Sequence, residues 1–265
     1  MNRLILTVAV TAGLSFLFNT CKNIGVEPPT GVDTTSHDFA WQTFVLGDGG
    51  GSILRDVAII NDTLAYAVGE INKKDSAGQW ENPPYGLAIW DGHTWTLKRI
   101  YARYPNSNTP LRPTGIFAFS PTDVWLAWGD VFQWDGHGEN VTIHRLTVEV
   151  TNPNPVLSPN QGITKLWGTS KTKVYGCGTN GALAFFNGTS WQKLESGTSF
   201  DIYDIWGEES TGGGEEILAV AGKRADHLDR RILQVNSTGA STVSDSGISS
   251  QLVGVWFSSR NQYYA

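Results

Sequence analysis

Apolar residues in this chain come in short alternating runs, interrupted every few positions by turn-forming residues. Between residues 162 and 194 the runs are Gly162-Ile-Thr-Lys-Leu-Trp-Gly168, Lys173-Val-Tyr-Gly-Cys-Gly178, Ala182-Leu-Ala-Phe-Phe186 and Trp191-Gln-Lys-Leu194. They are separated by Thr169-Ser170, Thr179-Asn180-Gly181 and Asn187-Gly188-Thr189-Ser190, residues that favour tight turns. Asn-Gly between alternating runs is a hairpin signal. No run reaches helical length or shows a 3.6-residue period. The pattern therefore predicts a four-stranded antiparallel meander.

The meander recurs. Its first strand returns as Ile202-Tyr-Asp-Ile-Trp-Gly207 and Leu252-Val-Gly-Val-Trp-Phe257, and more loosely as Gly115-Ile-Phe-Ala-Phe119 and Leu54-Arg-Asp-Val-Ala58. Its second returns as Ala65-Tyr-Ala-Val-Gly69, Val124-Trp-Leu-Ala-Trp-Gly129, Ile217-Leu-Ala-Val-Ala-Gly222 and Tyr263-Tyr-Ala265. Its third returns as Leu87-Ala-Ile-Trp-Asp-Gly92 and Val131-Phe-Gln-Trp-Asp-Gly136. The first-strand aromatics Phe119, Trp167, Trp206 and Trp256 stand 48, 39 and 50 residues apart. Four strands per unit at such a period is the signature of a β-propeller.

This cadence resembles the tandem-repeat β-propellers of bacterial secreted lipoproteins, over residues 39–265. Asp91-Gly-His-Thr-Trp95 and Asn187-Gly-Thr-Ser-Trp191 also look like shortened Asp-boxes of sialidase-like propellers. The resemblance implies an all-β propeller of four-stranded blades, with four whole blades and part of a fifth. Leu252 to Ala265 ends mid-repeat, and Ala40-Trp-Gln-Thr-Phe44 matches the fourth strand Ser190-Trp-Gln-Lys-Leu194. An N-terminal fourth strand that completes the last blade would close the ring, because an open ring leaves unpaired edges. The expectation is a chain truncated at Ala265, belonging to a ring of six to eight blades.

The N-terminus reads as an address. Arg3 precedes the apolar run Leu4 to Phe18, which is short for a bilayer span and suits an export signal over residues 1–20. Cys21 follows where a lipobox places the acylated cysteine. Residues 21–38, with Pro28-Pro29, Thr34, Thr35 and Ser36, read as a flexible tether. An exported protein held at the outer membrane or cell surface through lipidated Cys21 is expected, with a secreted or periplasmic one as the alternative.

Composition narrows the rest. A net charge of −6 gives no electrostatic footprint for nucleic acid. With 40% hydrophobic and 11% aromatic residues there is ample core, so general disorder is excluded. Only Cys21 and Cys177 are present, so a disulfide framework is excluded, and Cys177 reads as an inert core thiol.

Candidate chemistry is sparse. Gly176-Cys-Gly-Thr-Asn-Gly181 fits a dinucleotide fingerprint in letters, but a strand and not a helix follows it. His37, His93, His137, His144 and His227 lack metal-ligand spacing, and no cofactor is expected. Asp48-Gly-Gly-Gly51 reads as a flexible turn, and Asp91, Asp123, Asp135 and Asp204 as turn or strand-edge caps. Trp167, Trp206 and Trp256 read as inter-blade core. Two segments depart from the repeat. Residues 70–86 carry Trp80 and Tyr85 beside Pro83-Pro84, an aromatic platform for sugar or peptide. Residues 223–231 are the densest charge run and carry Arg224 and His227.

These features point to a binding module for a glycan or envelope protein, with Trp80, Tyr85, Arg224 and His227 as candidate contacts. The alternatives are a polysaccharide hydrolase or lyase acting in the central cleft, which would need two converging carboxylates, and a structural or assembly scaffold.

Overall fold

The computed structural model describes residues 42–147, 155–209, 214–223, 226–243, 250–259 and 262–264. Within them there is no helix. The first blade is a meander of β1 (Ile53–Asn61), β2 (Leu64–Ile71), β3 (Tyr85–Trp90) and β4 (Trp95–Lys98), hydrogen-bonded in chain order. Its turns use the expected chemistry. The Asn61 carboxamide accepts the N–H and hydroxyl of Thr63, and Asp91 accepts the N–H groups of His93 and Thr94. Those donors hold the Asp91 carboxyl below the usual range, Thr94 contributing most. Asp135 and Asn187 repeat the cap in the next two blades.

A hairpin of β5 (Tyr101–Tyr104) and β6 (Ser107–Pro110) comes next, before the second blade of β7 (Gly115–Ser120), β8 (Asp123–Trp128), β9 (Asp130–Trp134) and β10 (Asn140–His144). The hairpin docks on that blade's outer edge, β5 running parallel to β10 at Tyr101 and Asn140, so the sheet has six strands. The repeat pattern contains nothing corresponding to it. The third blade is β11 (Gly162–Ser170), β12 (Lys173–Thr179), β13 (Leu183–Phe186) and β14 (Trp191–Lys193). The fourth is β15 (Asp201–Glu209), β16 (Glu215–Lys223), β17 (Asp226–Asn236) and β18 (Gly239–Val243). A hairpin of β19 (Trp256–Ser259) and β20 (Gln262–Tyr264) begins a fifth sheet. The all-β propeller arrangement expected from the repeats is the fold, and among the described residues the ring is not closed.

Cores lie between neighbouring blades. Tyr66, Leu87, Ile100, Leu126, Phe132 and Trp134 form one cluster, and Trp167, Tyr175, Ile205, Ile217 and Leu233 another. Each fully buried ring or branched chain contributes about 1.5–3 kcal/mol through removal from water. The glycines of the apparent dinucleotide motif serve the β12–β13 hairpin, where Gly181 turns with φ 70°. Cys177 is fully buried in β12, and burial pushes its thiol pKa well up.

Strand pairing corrects three readings. Phe117 faces Trp125 as Trp167 faces Tyr175, so Phe117, not Phe119, is the counterpart of Trp167. Trp167 is inter-blade core as expected, and Trp206 is half-buried with its indole donating to the Phe257 carbonyl at 2.9 Å. Trp256, however, is 48% exposed and contributes to the wall of an axial cavity. Thirdly, residues 42–44, the described part of the expected strand Ala40–Phe44, carry no strand. Phe44 sits instead edge-on against Trp90, with ring centroids 5.1 Å apart.

Candidate functional site

The site begins with an irregularity that three blades share. Register shifts fall between Leu54 and Asp56, between Ile163 and Lys165, and between Ile202 and Asp204. A bulge re-aims the side chain that follows it. As a result Asp56, Lys165 and Asp204 take equivalent places on the innermost strands of the first, third and fourth blades. Lys165 Nζ lies 2.7 Å from Asp56 Oδ1 and 3.7 Å from Asp204 Oδ1. For one ammonium to reach carboxylates on β1 and β15, the inner strands must surround a common axis.

Each aspartate also reaches to the next blade. Asp56 Oδ2 accepts Ile116 N–H at 2.9 Å, and Asp204 Oδ2 accepts Val255 N–H at 3.0 Å. In both cases the preceding residue is a glycine, Gly115 or Gly254. At Gly115 any Cβ would come within 2.4 Å of the Thr164 carbonyl oxygen, so only glycine permits this approach. Burial opposes the charge of Lys165, but Asp56 beside it and Asp204 beyond outweigh that and hold its pKa above the ordinary lysine value. Burial pushes the Asp204 carboxyl up, against the pull of Val255 N–H and Lys165. Asp204, read from sequence as a cap, is thus an axial residue.

This cluster divides the axial space into two cavities that share Lys165 and Asp204. The upper one, about 490 Å³, is mainly polar and is lined by Arg55, Thr164, Asp201 and Tyr203, among others. The lower one, about 530 Å³, is mainly apolar, with Ile59, Phe117, Trp206 and Trp256 in its wall.

The upper cavity opens where the inner strands begin, and by antiparallel order the β2–β3 and β16–β17 connections leave at that same end. Both departures from the repeat therefore start from that end of their blades. The 72–84 connection is braced from below. The Arg99 guanidinium lies 3.9 Å from the Tyr85 ring centre, donates to the Pro83 carbonyl at 2.7 Å and pairs with Glu81 at 2.8 Å. Tyr85 donates to the same Glu81 oxygen at 2.6 Å. These two donors, Tyr85 first, hold the Glu81 carboxyl below its usual range. Tyr85 is thus a half-buried structural prop.

Trp80 is the exposed member, at 49%. Its ring rests on Gly50, where a Cβ would come within 2.7 Å of it, and Lys74 Nζ stands 4.8 Å from its centre. The Asp48–Gly51 loop is fastened rather than free. Asp48 accepts Lys74 N–H at 2.7 Å, and Asn72 donates to the Gly50 carbonyl at 3.2 Å. Sequence reasoning missed this brace, although Arg99 and Glu81 flanking a Pro-Pro-Tyr segment were the available signal.

On the fourth blade Lys223 pairs with Asp229 at 2.8 Å. Lys223 and Arg231 both stand over the Phe200 ring, at 4.8 and 5.2 Å. Arg224 lies outside the described residues, as do the side chain of His227 and all of residues 1–41, Cys21 included. His227 is placed only by its backbone, in β17.

No protein-family model matches the chain, and no curated protein matches it. Solved structures do. YCF48 bound to D1 peptide is 13% identical with a TM-score of 0.47, the match covering 77% of this chain and 57% of that one. The extracellular domain of BT3049 from B. thetaiotaomicron is 12% identical with a TM-score of 0.47, covering 79% of this chain and 32% of that one. The computationally designed Ika8 protein is 15% identical with a TM-score of 0.42, covering 80% and 68%. The chain thus spans 57% of the length of the YCF48 structure. Ligand and chemistry have to be read from the residues themselves.

Proposed function

We propose that this chain is a binding module that engages a glycan or protein partner at the end of the propeller where the upper axial cavity opens. The observation that carries the reading is Trp80: a large aromatic side chain held half-exposed on a braced connection, at the end of the propeller where a polar cavity of ligand size opens. An indole ring fixed in place offers contact area at small entropic cost, which suits a sugar face or an apolar side chain. The same reading makes the protein exported and lipid-anchored, supported by the apolar run 4–18, by Cys21 and by the Pro- and Thr-rich tether.

Binding is favoured over hydrolysis by the axial geometry. The carboxylates that converge, Asp56 and Asp204, have the Lys165 ammonium between them, in the space a glycosidic bond would need. The test is a glycan array and a cross-linking pull-down from native envelope, with the full chain, Trp80→Ala and Gly50→Ala. Gly50→Ala shifts the ring without removing it. Both variants should fold and lose at least about tenfold in affinity, the scale of one buried aromatic contact. Unchanged capture by Trp80→Ala would overturn the reading.

A further inference from the structure

Four aromatic rings meet at the seam between the second and third blades: Trp125 of β8, His144 of β10, Phe186 of β13 and Trp191 of β14. Every pair among them is in contact. His144 stacks on Trp125 at 5.0 Å with 19° between planes, and meets Phe186 and Trp191 at 5.7 and 6.3 Å. Trp191 meets Trp125 at 6.1 Å and Phe186 at 5.4 Å, and Trp125 meets Phe186 at 5.4 Å. The Trp125 indole donates to Asp123 Oδ1 at 2.9 Å. Two polar atoms of the box have no hydrogen-bond partner although they are buried: His144 Nε2 and Trp191 Nε1.

Buried polar atoms are nearly always paired. The two do not bond each other, so Nε2 lacks a partner whichever protonation state it takes. A neutral imidazole with its proton on Nδ1 presents Nε2 as an acceptor, and an indole N–H can only donate. A protonated Nε2 would be a buried charged donor with no acceptor, which costs more than the neutral ring does.

We propose that His144 is a proton-operated latch on this seam, closed while the imidazole is neutral and released when protonation places a charge among the four rings with no acceptor at Nε2. Burial pushes the pKa of His144 below the ordinary histidine value. The charged groups on the surrounding elements are otherwise engaged. On β8, Asp123 takes the Trp125 and Gln133 side chains. On β9, Asp130 Oδ1 accepts Leu146 N–H and both the N–H and hydroxyl of Thr147. Arg145 lies over Tyr104, 5.0 Å from its centre. On β14, Lys193 reaches Ser158 and Glu195.

The sign follows from linkage. With the folded pKa below the unfolded one, the closed seam takes up a proton less readily than the open form. Its stability is fully present above about pH 6.5 and is lost as pH falls towards the folded value. One proton sets the slope, so the opening constant rises by at most about tenfold per pH unit.

Hydrogen exchange on the full chain at pH 7.5, 6.5 and 5.5, corrected for intrinsic rates, tests this alongside an NMR titration of the imidazole. Opening of β10, β13 and β14 should increase up to about tenfold per pH unit below about pH 6.5, while β15 and β16 stay constant. In His144→Gln, which keeps an acceptor but does not titrate, the seam should be pH-independent. Equal pH dependence in His144→Gln, a seam in the unaltered protein that does not respond to pH, or an imidazole titrating at or above 6.5 would each overturn the latch. The titration of the unaltered protein decides the matter by itself if the variant does not fold.

Discussion

Replacing Lys165 with Met tests the axial cluster most directly. The substitution keeps the length of the side chain and removes its charge, leaving Asp56 and Asp204 facing each other across the axis. Removing one partner of a fully buried ion pair costs about 3–5 kcal/mol, and a surface pair is worth about 0–1 kcal/mol. The three side chains are 28%, 10% and 19% exposed, which places this cluster between the limits and sets the expected loss at about 2–3 kcal/mol. Urea unfolding followed by tryptophan fluorescence, at pH 7.5 and pH 5, measures it. The pH dependence has a defined sign. Burial already raises the Asp204 pKa, and without Lys165 it rises further. A carboxyl with a raised folded pKa loses stability as pH increases through that value, so the penalty should be largest at pH 7.5 and shrink towards pH 5. Adding Asp56→Asn and Asp204→Asn to Lys165→Met should recover most of the loss, because no uncompensated charge then remains. A penalty below about 0.5 kcal/mol, within the scatter of ordinary surface substitutions, or one that does not vary with pH, would refute the reasoning.

Arg99→Met should loosen residues 72–84 and expose Tyr85, seen as faster amide exchange there with the blade strands unchanged; unaltered exchange would show that the brace does not hold the connection. Cys21→Ala should move the protein from the membrane fraction to the soluble one, and persistent membrane association would count against lipidation.

The blades were legible in the chain's local pattern. Alternation with a period of two and Asp-Gly or Asn-Gly turns are local signals, and Asp91, Asp135 and Asn187 make the turn caps that their positions imply. The unit repeats because a four-stranded sheet cannot bury its faces alone, so propeller architecture was legible from spacing. What local pattern could not supply is register and convergence. Phe119 stands where a count along the chain puts an aromatic, but pairing selects Phe117, because the turn and its bulge set the register. The β5–β6 hairpin carries no repeat signal, since it is held by the far-off β10 edge. Asp56 and Lys165 look like ordinary strand residues, and Asp204 like a cap, until equivalent bulges aim them at one axis. That they meet follows from the packing of the blades, because curvature around the axis belongs to the assembled sheets and not to any one strand.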